Sequence, residues 1–290
     1  MSTVRYEAPT TASAVVALLA QANGPARLLA GGTDLLIQMR SGLHAPELLI
    51  NVKDVAEMNT VALEYGAYRI GASIVCMALI EHAAFAAAWP GITDAVKLIG
   101  SIQIKGRATV GGNVCNASPA ADSVPALIAA GAIARILGPG GARELPVESI
   151  AASPGKTTLA KGEIVTSFLL PKRAPRSGDA YLRFTPRTEM DIAVVGAAVN
   201  LTFDAAGVCT HARVSLGAVA ERALLVPEAG AALVGTPVDG AALAKLAAAA
   251  SAACRPIDDK RGTREYRIKV AGVLARRAAE TALTRAKGSI

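Results

Sequence analysis

Aromatic side chains make up only 3% of this 290-residue chain, with one Trp, five Tyr and four Phe. Stacking platforms for nucleic-acid bases are therefore scarce, and the core has to be built from Leu, Val, Ile and Ala. Cys76, Cys115, Cys209 and Cys254 stand far apart with no CxxC among them, so neither a disulfide framework nor an iron–sulfur ligand set is expected, and burial is their expected role. His44, His82 and His211 are equally isolated and suggest no metal site. Long apolar runs are missing too. Residues 14–20 look like a signal-peptide core, but Glu7 and Pro9 precede them and a strand-like run follows, so the segment reads as a helix. The alanine-rich stretch from Ala241 is broken by Lys245 and falls short of the about 20 apolar residues that span a bilayer. The expectation is a cytoplasmic chain with no transmembrane segment.

An excess of one charge is absent from most of the chain. The net charge is +7, but residues 255–290 hold ten Lys or Arg against four Asp or Glu, and the remainder carries 20 against 19. The bias belongs to a C-terminal helix, read as a solvated face or as a dock for an acidic partner subunit. Without zinc-finger spacing or RNA-recognition aromatics beside it, nucleic acid is not an expected partner. What is present is a hydrophobic share of 52% against 18% charged, the composition of a folded chain, at a length that suggests two domains.

The pattern of apolar residues predicts an α+β (mixed α/β) chain. Strands at 4–6, 27–30 and 48–50 alternate with a helix capped by Thr11 or Ser13 and another opened by Asp34, which makes a small parallel βαβαβ unit. A hairpin over 60–72, helices at 77–88, 94–99 and 122–130, and strands at 132–137, 143–146 and 163–170 predict a second, mixed or antiparallel sheet. The polar stretch 172–178 reads as a linker. Beyond it, strands at 181–187, 193–203 and 208–219 predict a three-stranded antiparallel sheet, backed by helices at 241–254 and 264–285. The expected domains are residues 1–175, with subdomains of about 1–55 and 56–175, and residues 179–290.

Two glycine segments stand out, each read as a turn, Ala30-Gly31-Gly32-Thr33-Asp34 and Thr109-Val110-Gly111-Gly112-Asn113. A phosphate needs backbone N–H donors within hydrogen-bonding distance, and glycine lets the main chain come that close because no Cβ intervenes. The first segment sits at a strand's carboxyl end and a helix's amino end, where orphan N–H groups and the helix dipole favour an anion. Together the two are expected to converge on the diphosphate of one flavin dinucleotide. Gly155-Lys156-Thr157 only imitates a phosphate-binding loop, since Ile150 stands where its leading glycine belongs, and Gly138-Pro139-Gly140 lacks a third glycine at Arg143.

The run from Gln103 to Asp122 around the second segment concentrates Gly, Asn, Thr, Ser and Asp beside few apolar side chains. This run and Ala30–Asp34 resemble the two flavin-binding segments of the FAD subunit of molybdenum hydroxylases, the group that includes xanthine and carbon monoxide dehydrogenases. Tyr181 to Ala193 is similar to that family's stretch ending in Asp-Ile-Ala, and the tail around Asp258–Arg261 and Arg264–Arg267 resembles its C-terminal domain.

The resemblance implies that Ala30 to Asp34 and Thr109 to Asn113 hold the diphosphate by backbone N–H groups, with the Thr33 and Thr109 hydroxyls as further donors and Leu28, Leu29, Leu35 and Val110 flanking them. Asp34 is expected to cap its own helix and face away from the anion. Asp122 matches a family carboxylate that accepts hydrogen bonds from flavin hydroxyls, with a simple helix cap as the other reading, and Ser118 and Pro119 shape that wall. Ile164, Val165 and Ile99 align with apolar residues near the adenine or flavin. Arg183 stands where relatives often have a lysine beside the isoalloxazine, and Arg187 and Asp191 are expected to orient a covering loop. No side chain is assigned a catalytic role, because FAD carries the chemistry.

The resemblance further implies an oxidoreductase subunit that takes electrons from a small two-iron two-sulfur subunit and passes them to NAD, a quinone, oxygen or another acceptor. A large subunit with a molybdopterin-type cofactor oxidises the substrate, in what is expected to be a dimer of heterotrimers. A self-sufficient FAD-dependent oxidase or dehydrogenase of related fold is the second reading, and a nucleotide-sensing or assembly protein the third. The oxidase requires a substrate cavity with its own acid or base, and the sequence offers no such pair.

Overall fold

A parallel strand pair needs a crossover connection, and the first fifty residues alternate strand and helix to supply two. The computed structural model describes residues 4–288, so residues 1–3 of the first expected domain and 289–290 of the second lie outside the described residues. Strands β1 (Arg5–Glu7), β2 (Ala26–Leu29) and β3 (Leu48–Asn51) pair in parallel with β3 in the middle. All four residues of β3 are buried, as a central strand covered on both faces requires. Helix α1 (Ala12–Gln21) starts where Thr11 Oγ1 accepts the Ala14 N–H at 3.3 Å, and it lays Ala12, Val15 and Val16 on the core. Helix α2 (Leu35–Arg40) follows the first glycine segment and buries none of its residues.

Strands β4 (Val61–Glu64) and β5 (Ala67–Gly71) form the expected hairpin. Tyr65 and Gly66 both take positive φ, 53° and 84°, which twists a two-residue turn in the sense of its strands. The helix expected over 77–88 is two helices, α3 (Cys76–Glu81) and α4 (Ala83–Ala88). His82 leaves the helical path, and its Nδ1 accepts the Phe85 N–H to start the second. Helix α5 (Pro90–Lys97) begins earlier than expected, with Pro90 in its first turn, where a missing N–H costs nothing. Helices α6 (Ile102–Lys105) and α7 (Val110–Cys115) are short, and α8 (Ser123–Ala130) is buried along its whole length. Strands β6 (Ile133–Gly138) and β7 (Gly141–Pro146), a minor hairpin of β8 (Ala151–Ser153) and β9 (Lys156–Thr157), and β10 (Ile164–Leu170) follow. The second sheet has the order β4-β5-β10-β6-β7 and is antiparallel throughout.

Strands β11 (Ser177–Phe184), β12 (Val195–Phe203) and β13 (Cys209–Gly217) are the expected antiparallel three, and a fourth, β14 (Leu224–Leu225), adds to β13. Two residues are too few to announce a strand by alternation. Helices α9 (Pro227–Ala231), α10 (Gly240–Ala253) and α11 (Arg264–Gly288) complete the chain. Along β12, Ala197, Val199 and Leu201 pack with α10 and α11 in one core, while Ala198 points the other way into the first. The alanine excess serves this layer. Ala271, Ala275, Ala278, Ala279 and Ala282 let α11 approach the sheet so closely that a Cβ on Gly178 would collide with the Ala282 carbonyl.

The stretch 172–178 runs into β11 at Ser177 and is clamped rather than loose. Arg173 pairs with Asp179 at 2.8 Å and lies 4.7 Å over the Trp89 ring. Asp179 Oδ2 also accepts the Gly91 N–H at 2.8 Å, and Arg285 of α11 donates to Asp94 at 2.6 Å and to the Asp179 carbonyl at 2.8 Å. Helix α8 packs against β12 and β13, so the C-terminal sheet is covered by helices on both faces. Among the described residues, no helix is long and apolar enough to cross a membrane.

Candidate cofactor site

Gly31 brings the two glycine segments together. A Cβ at this position would collide with the Arg107 carbonyl and lie 2.9 Å from Ala108 Cα, so only glycine permits the contact. Gln38 of α2 seals the joint by donating from Nε2 to Asn116 Oδ1, just past α7, at 3.2 Å. Lys53 Nζ reaches the Ala30 carbonyl at 3.4 Å. Burial pulls the Lys53 ammonium below its usual pKa, Arg107 adds repulsion, and Asp54 partly offsets both.

The first segment is an open turn. Gly32 has φ +75°, a left-handed conformation, and a Cβ there would press on Leu29 Cδ1 at 3.0 Å and Leu36 Cδ1 at 3.1 Å. The N–H groups of Gly31, Gly32, Thr33, Asp34 and Leu35 donate no hydrogen bond among the described residues. Five successive unspent donors at the mouth of α2 form an anion cradle. Asp34 occupies the cap position of α2, but its carboxylate makes no capping bond, contrary to expectation. The Asp34 backbone is αR, φ −98° and ψ −52°, whereas a capping side chain needs an extended backbone to turn back onto the helix. Burial pushes the Asp34 carboxyl above the usual carboxylate range.

The second segment is no turn. Gly111 and Gly112 lie inside α7, which Thr109 caps by accepting the Gly112 N–H on Oγ1 at 3.0 Å. The Gly111 N–H goes to the Ala72 carbonyl at 2.8 Å and the Asn113 N–H to the Thr109 carbonyl at 3.0 Å. A Cβ on Gly111 would sit 2.5 Å from the Ala72 oxygen, whereas one on Gly112 would meet nothing but Thr109 Oγ1, at 2.9 Å. The amides of Gly111, Gly112 and Asn113 are therefore spent inside the protein, and the flank of α7 at Gly112 is open. Val110 is fully buried beneath it.

From α7 the arrangement continues to Asp122. Asn113 Oδ1 accepts from Ser123 N at 3.1 Å and from Ser123 Oγ at 2.6 Å, and Asp122 makes no capping bond to α8. The Asp122 carboxylate instead takes the Tyr181 hydroxyl on Oδ1 and Arg183 Nη1 on Oδ2, both at 2.9 Å. Burial pushes Asp122 up to about 6, against the pull of Arg183 and Tyr181. Burial, and then the neighbouring Asp122, hold the Tyr181 phenol well above its usual range. Arg183 Nη1 also donates to the Leu98 carbonyl at 2.9 Å, next to the buried Ile99. Ser118 Oγ accepts the Ala120 N–H, and the Pro119 carbonyl takes the Ala218 N–H at 2.7 Å, tying this turn to the C-terminal sheet.

Asp191 is held by Arg187 at 3.4 Å and by Arg261 at 3.2 Å, which fixes the loop between β11 and β12. Ile164 and Val165 are walled into β10, paired with Leu137 and Ile136, and neither presents a free face to the glycine joint. Leu28 is half-buried on β2, and Leu35 is half-buried at the start of α2. Sequence reasoning missed Lys53 and Arg107. Arg107 stands directly before the second segment and Lys53 just after β3, positions that mark them only once the two segments are known to meet. A cleft of about 620 Å³ elsewhere contains none of the predicted residues. Its guanidinium groups are matched by carboxylates, Arg69 with Glu64, Arg135 with Glu144 and Arg143 with Glu163.

A model described as the FAD binding domain in molybdopterin dehydrogenase matches residues 2–173, and one described as the CO dehydrogenase flavoprotein C-terminal domain matches residues 180–282. The carbon monoxide dehydrogenase medium chain of Afipia carboxidovorans is 37% identical over 282 residues, 97% of either chain. The xanthine dehydrogenase FAD-binding subunit of Escherichia coli O157:H7 is 28% identical over 287 residues, 98% of either chain. Among solved structures, a chain of the cyanide-inactivated Cu,Mo-CO dehydrogenase superposes with TM-score 0.93 at 36% identity, covering 97% of this chain and 98% of that one. A chain of quinoline 2-oxidoreductase from Pseudomonas putida 86 gives 0.89 at 26% identity, covering 99% and 98%.

Proposed function

The chain belongs to the FAD-binding subunits of the molybdenum hydroxylase family, and from that premise we propose that it is the electron-transfer subunit of a multisubunit dehydrogenase, placed between an iron–sulfur partner and an external acceptor. The unspent N–H groups of Gly31 to Leu35, held against the second glycine segment, carry this reading. Their number and their place before a helix suit a diphosphate. Bound FAD supplies the redox chemistry, exchanging electrons singly or in pairs.

In this reading the chain's own residues bind and orient. The Gly31–Leu35 amides and the Thr33 and Thr109 hydroxyls donate to the diphosphate, and Lys53 and Arg107 offset its charge. Ala30 and Gly112 leave the approach open, and Val110, Ile99, Ile164 and Val165 support it from the core. Asp34 is the one anion at the turn. Its carboxyl is already raised by burial, and an anion beside it favours the neutral form further. Asp122 accepts hydrogen bonds from the cofactor's hydroxyl groups, with Ser118 and Pro119 beside it. Residues 1–175 are then the cofactor unit, and residues 179–290 the C-terminal domain of the flavoprotein subunit.

The partners in this proposal are a large molybdopterin-binding subunit and a small two-iron two-sulfur subunit, assembled as a dimer of heterotrimers in the cytoplasm. The acceptor is NAD, a quinone, oxygen or a related species. Purification of the chain with whatever accompanies it, followed by a visible spectrum and subunit masses, tests the proposal. A yellow chain accompanied by a large and a small subunit is expected. Substrate turnover by the isolated chain would point instead to a self-sufficient flavin oxidase.

A further inference from the structure

Arg183 lies on β11, where the C-terminal sheet meets the first core, and its guanidinium joins three parts of the molecule. One nitrogen, Nη1, serves both the Leu98 carbonyl at the end of α5 and Asp122 Oδ2 at the start of α8. Tyr181 is two residues earlier on the same strand and therefore on the same face, and it donates to the other carboxylate oxygen. The Arg183 and Asp122 side chains are 5% and 11% exposed, so this is a nearly dry ion pair. A buried carboxylate that loses its cation is left uncompensated, so each member depends on the other.

Helix capping does not account for the Asp122 carboxylate. Asp122 does not cap α8, because its backbone is αR, the Val124 N–H goes to the Ala121 carbonyl and Pro125 has no N–H to offer. A carboxylate has about four lone-pair positions, and Tyr181 and Arg183 fill two, so further donors can be accepted. Asn113 belongs to the second glycine segment, and its direct bonds to Ser123 set the carboxylate one residue away from that segment's anchor.

We propose that Arg183 is a positioning residue for FAD that works through Asp122, holding the carboxylate charged and aimed from β11 so that its remaining lone pairs receive the cofactor's hydroxyl groups. This rests on the reading of Asp122 as a cofactor ligand. It assigns Arg183 a different part from a lysine beside the isoalloxazine, since its guanidinium is committed to Asp122 and Leu98.

The charge balance around Asp122 makes the idea testable. Burial favours the neutral carboxyl, and Arg183 is the principal opposing influence, followed by Tyr181. Other ionisable groups on elements packed against α8 have different partners or face elsewhere. Asp94 pairs with Arg285, Asp179 with Arg173, and Glu148 with Arg213, while Lys97 is exposed and Cys115 makes no bond to the carboxylate. Without the guanidinium, the phenol alone opposes burial, and Asp122 becomes neutral at a higher pH.

The experiment is FAD titration of the deflavinated full-length protein from pH 5 to 9, followed by flavin fluorescence, for the wild type, Asp122→Asn, Arg183→Met and Arg183→Lys. Wild-type affinity should fall as pH drops through about 6, as Asp122 takes up a proton. Arg183→Met should move that midpoint upward by about one pH unit, which weakens binding about twofold at pH 7 and close to about tenfold at pH 5 relative to the wild type. Arg183→Lys should return the midpoint to within about half a unit of the wild type, because the charge is kept. If Arg183→Met fails to fold by circular dichroism, Arg183→Gln, which keeps a hydrogen bond and loses the charge, is expected to show the same upward move. Wild-type affinity and an unshifted midpoint in the neutral variant, with Asp122→Asn still weakened, would overturn the inference alone. Wild-type binding by Asp122→Asn would instead overturn the reading of Asp122 as a ligand, and this inference with it.

Discussion

Gly31-Gly32 opens a turn in which the five successive amides from Gly31 to Leu35 are unspent, whereas Gly111-Gly112 begins a helix whose amides are held by Ala72 and Thr109. The two segments share a glycine pair and a neighbouring threonine, yet the bonding load is divided between them. The second is rigid because its donors are satisfied internally, and the first can offer its donors outward because it leans on that rigid surface at Arg107 and Ala108. An anion site assembled from two independently mobile turns would have to order both on binding. Here the scaffold is ordered beforehand, which lowers the entropy cost of capture.

Substitutions at the four glycines should break this division in graded ways. Gly31→Val forces a branched side chain into the Arg107 carbonyl and should separate the segments, costing about 3 kcal/mol or more in urea denaturation and abolishing FAD binding. Gly111→Ala meets the Ala72 backbone at 2.5 Å and should cost about 2 kcal/mol, loosening α7 from β5 while the first turn keeps its donors. Gly32→Ala places a Cβ on a left-handed backbone and should cost about 1–2 kcal/mol, with FAD affinity falling because the donors lose their shared direction. Gly112→Ala should be the mildest for folding. The gain in helix propensity and the disturbance of the Thr109 cap, each about 1 kcal/mol, nearly cancel. Its weaker FAD binding, read by fluorescence titration, would then report the open flank of α7 alone. A Gly112→Ala protein that binds FAD like the wild type would remove α7 from the cofactor's path.

Much of the architecture was legible because period and punctuation agreed. The first three strands and two helices follow from alternating short apolar runs and the Thr11 cap, and the hairpin from Tyr65-Gly66. The errors have local causes. Paired glycines suggest a turn, and nothing nearby in sequence announces that Ala72 and the Thr109 hydroxyl will hold them helical. His82 breaks a helix through a side-chain bond that helix propensity does not register. At the site, Ala30–Asp34 and Thr109–Asn113 were legible as motifs, but Lys53 and Arg107 become informative only through tertiary contact. Arg183 was read by its alignment position, while its committed partner, Asp122, lies 61 residues away. Burial and pairing across such separations have no periodic signature.

The most direct test is a crystal structure of the FAD-bound protein. The account predicts diphosphate oxygens at about 3 Å from N–H groups of Gly31 to Leu35, with Gly112 lining the same space. A diphosphate lodged elsewhere, such as against Arg69 and Arg135, with those N–H groups facing only solvent, would contradict it.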